Sequence, residues 1–180
     1  NEREADRVGL QILDQAGFDP RAMATFFERL QRATRVYEGG APAYLRTHPL
    51  TFERIADVQN RLESMPYRQV PDTLEFQLIR AKLRADIEPP RDALAFFEQS
   101  LADRKFLSEA ASRYGLVVSL LRSGDHARAK KELEALRKVA RPSPMIETLA
   151  CRLEAAARET SEEFACYREA VRTYPHYRAL

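Results

Sequence analysis

Apolar residues recur at three- and four-residue intervals along most of the chain, and no stretch alternates with period two between hairpin turns. Helices are therefore predicted, and essentially no sheet. Ala5, Gly9, Ile12, Leu13 and Ala16 fall at helical spacing and stop at Gly17, a usual terminator, which gives a first helix over about residues 1–16. Asp19 stands as an N-cap with Pro20 at the first helical position, and Met23, Phe26, Phe27 and Leu30 form the apolar face of a second helix reaching about Val36. The run Glu38-Gly39-Gly40-Ala41-Pro42 breaks the pattern, and an irregular loop through Tyr44, His48 and Leu50 follows. Thr51 caps a third helix through Phe52, Ile55, Val58 and Leu62, ending before Pro66.

Beyond this point the pattern becomes pairs of helices of similar length with short breaks. Residues 72–85 pair with 91–101 across Pro89-Pro90, 108–121 with 125–140 across Ser123-Gly124, and 143–157 with 161–173, closed by Pro175. Two helices per unit at a spacing of about 34 residues is the signature of a tetratricopeptide array. Leu116, Val117 and Leu120 suit a first helix, Gly124 the turn, and Ala129 with Leu133 a second helix; Ala93 with Phe97 and Ala170 with Pro175 repeat parts of this. Arg141 and Glu163 depart from the pattern, and a plain helical bundle carries the same stripes. Stacked pairs bury faces that no pair buries alone and leave a groove, which points to a protein-binding module.

Composition narrows the partners. With 44% hydrophobic residues the 180-residue chain can build a core, and Lys+Arg 29 against Asp+Glu 27 leaves a net charge of +2. That is no basic field for nucleic acid, and the Arg- and Lys-rich stretches at Arg29, Arg32 and Arg35 or Lys130, Lys131 and Arg137 alternate with acids as solvated faces do. No transmembrane segment is expected. The chain starts at Asn1 rather than Met, in sequence as patterned as the middle of a helix, so it is expected to be cut from something longer.

Glu2 and Asp6 lie four apart on the face of the first helix that also carries the apolar residues, whereas Glu4 points to solvent. Carboxylates on an inward face need a cation, a metal or a proton, since an unpaired buried charge is too costly. The alternative is fraying at a helix start, where the dipole tolerates acids. The order Glu2-x-x-Ala5-Asp6, Gly17-Phe18-Asp19-Pro20, Thr47-His48-Pro49 and Arg54-Ile55 resembles the end of the peptidase domain of bacterial BepA-type zinc metallopeptidases, which join an H-E-x-x-H peptidase domain to a tetratricopeptide array in the periplasm.

The resemblance implies an all-α fold: residues 1–66 as the C-terminal helices of a zinc metallopeptidase domain, then residues 67–180 as helical hairpins stacked in a short tetratricopeptide-like superhelix. It implies Glu2 as a zinc ligand, Asp6 as the group that orients a ligating histidine, and His48 in a loop beside the metal that could hold the enzyme latent; locally bonded loop histidine is the alternative for His48. It also implies zinc in the parent protein, a polypeptide substrate or protein partner in the repeat groove, a periplasmic location and a role in envelope or outer-membrane protein quality control. No H-E-x-x-H occurs among these residues, so this chain alone is expected neither to hold zinc nor to cleave peptides. A tetratricopeptide scaffold with a degenerate peptidase remnant is the competing reading. His126 and His176 read as solvated. Cys151 and Cys166 lack C-x-x-C spacing, and helix axes packed about 8–10 Å apart favour two small buried core residues over a disulfide, although an oxidising periplasm would invite one.

Overall fold

The computed structural model describes residues 2–36, 48, 50–156 and 160–177, with the side chains of 34–36 and 160–164 left aside. The described residues are helical with no strand, as the periodicity predicts. The predicted break at 38–42 and most of the loop after it lie outside the described residues, apart from His48 and Leu50. The chain divides into two compact units, residues 1–71 and 72–180.

The first unit holds α1 (Glu2–Gln15), α2 (Arg21–Val36) and α3 (Phe52–Leu62). Helix α1 ends as its glycine dictates: Gly17 takes φ +82°, its N–H donates to the Asp14 carbonyl at 3.0 Å, and Phe18 N–H donates to Leu13 at 3.0 Å. Arg68 returns from beyond α3 to donate to the same Asp14 carbonyl at 2.9 Å. Asp19 accepts from Arg21 N–H at 3.0 Å. Helix α3 packs on both α1 and α2, and Leu10, Ala24, Phe27, Ile55, Val58 and Leu62 form the core between them. The inward face of α1 is narrower than the pattern suggests. Asp6 and Leu10 are buried, but Ile12 is 59% exposed, and so on α2 is Phe26 at 58%, because only part of each apolar face meets a neighbour within the unit.

The second unit runs α4 (Leu74–Ile87), α5 (Pro90–Ala102), α6 (Glu109–Arg122), α7 (His126–Val139), α8 (Pro144–Ala156) and α9 (Thr160–Thr173). Thr73, Ser108 and Asp125 cap α4, α6 and α7 through their side chains. Helix α6 is the hub, packed on α4, α5 and α7, with Leu116, Val117, Val118 and Leu120 all buried. Phe97 of α5 enters where α6 carries Gly115: a Cβ there would stand 2.2 Å from the Phe97 ring. Arg122 donates to the Ala85 carbonyl and, at 3.0 Å, to that of Glu88, closing the end of α4. Tyr114 is buried in this core, and desolvation pushes its phenol up to about 12. Ala93, Ala129, Leu133 and Ala170 are buried, as helical packing of either kind expects. His176 is exposed, but His126 is half-buried at the start of α7 with Nδ1 unpartnered, not solvated as the sequence suggests.

The cysteine expectation is corrected. Cys151 of α8 and Cys166 of α9 form a disulfide with Cα atoms 5.5 Å apart. Facing Cα atoms lie about 2.3 Å from each helix axis toward the other, so an axis spacing of about 8–10 Å brings them to roughly 3.4–5.4 Å, whose upper part falls within bridging range. Closing a loop of sequence separation 15 contributes on the order of 3 kcal/mol through the unfolded chain.

Candidate functional site

Helix α1 sets Glu2 and Asp6 one turn apart, and α3 sets Arg54 against both. Arg54 Nε and Nη2 donate to Asp6 Oδ2 and Oδ1, each at 2.7 Å, a two-pronged pair in which the Asp6 side chain is 5% and the Arg54 side chain 11% exposed. The remaining prong, Nη1, lies 3.0 Å from Glu2 Oε2. His48 Nδ1 lies 2.6 Å from Glu2 Oε1. Residues 46 to 52 positions apart in sequence thus meet as one chain of polar contacts, His48–Glu2–Arg54–Asp6.

Local structure explains the reach of Arg54. Thr51 Oγ1 accepts from the Arg54 N–H at 3.3 Å, which fixes the first turn of α3 and aims residue 54 along the line of Ile55 and Val58. A cation in a first turn opposes the helix dipole; two carboxylates and the face of Phe27, whose centroid is 5.5 Å from the guanidinium, offset that. The hydrogen bond from His48 holds the Glu2 carboxyl below its ordinary value; partial desolvation opposes this, and the Arg54 charge adds to it. Glu2 is accordingly ionised at neutral pH. An ionised carboxylate can only accept, so His48 Nδ1 is the donor of this contact.

The structure therefore brings together the residues singled out from sequence, Glu2, Asp6 and His48. Glu4 points away and pairs with Arg7 at 2.5 Å, as expected. The residue that sequence reasoning gave no role is Arg54. Its signal was present: an arginine directly before Ile55 and four before Val58 lies on the buried line of α3, where only a paired cation is tolerated. An ionised carboxylate next to an imidazole is a donor set that suits zinc, but one Glu and one His do not make a site. Among the described residues no group of three His, Cys, Asp or Glu is placed to hold a metal.

Residues 1–62 match the model of peptidase family M48. The chain is 34% identical over 137 residues to the beta-barrel assembly-enhancing protease of Escherichia coli strain K12, an alignment covering 76% of this chain and 28% of that protein. It is 42% identical over 85 residues to a putative beta-barrel assembly-enhancing protease of Vibrio cholerae, covering 47% of this chain and 17% of the relative. The mitochondrial metalloendopeptidase OMA1 of Schizosaccharomyces pombe matches at 41% over 69 residues, 38% of this chain and 19% of the relative. The chain thus spans less than a third of the curated relatives it matches.

Proposed function

We infer from the match of residues 1–62 to the peptidase family M48 model and from the bacterial relatives that the chain is part of a zinc-dependent metalloendopeptidase. Residues 1–66 are read as the closing segment of the peptidase domain, and residues 67–180 as a tetratricopeptide-like array that binds polypeptide, substrate or assembly partner. The names of the bacterial relatives support a role in envelope or outer-membrane protein quality control. The Cys151–Cys166 disulfide supports an oxidising compartment such as the periplasm.

The observation that carries this reading is the contact chain at α1 and α3. Glu2 is the proposed zinc ligand, ionised as a ligand must be and held at one oxygen by His48 and at the other by Arg54. Asp6, anchored by Arg54, has lone pairs left to hold a ligating histidine. His48 stands beside Glu2, and the proposed latch has its imidazole occupy the open metal position and keep the enzyme latent. Zinc, when bound by Glu2 and the two histidines of an H-E-x-x-H helix, supplies an activated water for peptide hydrolysis. The exposed Val8, Ile12, Phe18, Phe26 and Phe52 of the first unit suit a surface that the rest of a peptidase domain covers. Alone, this chain is inactive and holds zinc weakly.

In a full-length protein carrying H-E-x-x-H, Glu2→Gln is expected to remove most bound zinc and proteolysis together, and His48→Ala to raise proteolysis of an unfolded protein substrate. Stoichiometric zinc in the Glu2→Gln protein would refute the ligand role. Unchanged or lower activity in His48→Ala would refute the latch.

A further inference from the structure

Helix α4 is apolar on two sides. Leu78, Ala81 and Ala85 enter the core, while Phe76, Ile79, Leu83 and Ile87 are between 46% and 79% exposed. Leu83 and Ile87 of that second side border a groove of about 530 Å³ where α4, α5 and the start of α6 meet. Leu83, Ile87, Phe96 and Phe106 give it an apolar floor, with room for one large side chain and the backbone around it.

The charges around that floor are unequal. Arg80, Arg84 and Lys105 line the groove, and Glu88 is the acid among its lining residues. The acids that face the other two cations, Asp72 at 3.9 Å from Arg80 and Asp103 at 3.4 Å from Lys105, do not line it. Arg84 is the most constrained of the three. Its guanidinium lies 3.9 Å from the centroid of Phe96, and it reaches Glu88 through Nη1 at 3.5 Å. The contact with the Phe96 ring restrains a guanidinium, a group whose planar fork can receive a carboxylate on two prongs.

We propose that this groove takes a polypeptide segment in which an aromatic or large aliphatic side chain stands next to a carboxylate, the apolar group on Phe96, Phe106 and Leu83 and the carboxylate on Arg84. The proposal rests on the polypeptide-binding reading of residues 67–180 and names its chemistry. Nucleic acid also combines rings with anions, but three cations in a chain of net charge +2 give it no track for successive phosphates.

The test uses the full 180-residue chain and fluorescence anisotropy with three labelled peptides in a Gly/Ser background: one with Phe between two Asp, one with Phe between two Asn, and one with Ala between two Asp. The Asp-Phe-Asp peptide is expected to bind about tenfold tighter than either control, the usual worth of one charge-assisted contact. Arg84→Gln is expected to erase its advantage over the Asn peptide, and Arg84→Lys to restore part of it, with circular dichroism confirming that both variants fold. Equal binding of the acidic and neutral peptides overturns the carboxylate specificity and leaves the array reading standing; no binding of any peptide overturns both. Competition by a thymidine oligonucleotide would put nucleic acid in the groove and overturn the proposal. So would a concentration-dependent dimer that Leu83→Glu abolishes, which would put a second copy there.

Discussion

At the scale of single residues, the pair Glu2 and Asp6 could be read from spacing, because carboxylates four apart on an apolar helix face demand neutralisation. What neutralises them could not, because the answer comes from a helix 48 positions on. Arg54 serves both acids at once, so its loss leaves Asp6 buried with two oxygens stripped of donors. Arg54→Gln is expected to destabilise the first unit by about 3 kcal/mol, the usual cost of breaking a buried pair from one side, with Arg54→Lys recovering part. Urea unfolding followed by circular dichroism measures this. Arg7→Gln, which breaks the exposed Glu4 pair, should leave the midpoint unchanged. A midpoint equally unmoved in Arg54→Gln would show that water satisfies Asp6.

At the scale of elements, caps and stops were legible because each is a local contract between a few neighbours. Gly17 and Gly124 take positive φ and Thr51 caps α3 as the sequence reads, while Ser108 and Asp125, read there as first helical residues, are the caps of α6 and α7. One stop was not: Arg104 closes α5 at φ 54° without a glycine, with Lys105 N–H donating to the Ser100 carbonyl at 2.9 Å. Burial around α1 and α2 was overestimated, because periodicity reports which face is apolar and not how much of it a neighbour covers. Packing between elements was also hidden at Gly115, whose missing side chain makes room for Phe97. On an open helix Gly→Ala gains about 1 kcal/mol. At this contact Gly115→Ala should instead cost about 1–3 kcal/mol, as overpacking does. A double mutant with Phe97→Leu should lose less than the sum of the two single losses, measured by thermal unfolding.

At the scale of the molecule, each unit builds its core from its own residues, Leu10 to Leu62 in one and Leu78 to Leu153 in the other. A chain of residues 72–180 made alone is therefore expected to keep its helical spectrum and unfold in one cooperative transition. A molten profile would show that its core needs more than its own helices. The sequence by itself determined the all-helical architecture, the helix boundaries to within a residue or two, and the motif that ties residues 1–62 to a peptidase family, because these depend on periodicity, capping chemistry and residue order. Only the tertiary structure decided that Arg54 answers Glu2 and Asp6, that Cys151 and Cys166 are joined, and that α4 keeps a second apolar side against a cationic groove. Those outcomes depend on distances between groups far apart in the chain, which the packing of helices sets and no local pattern encodes.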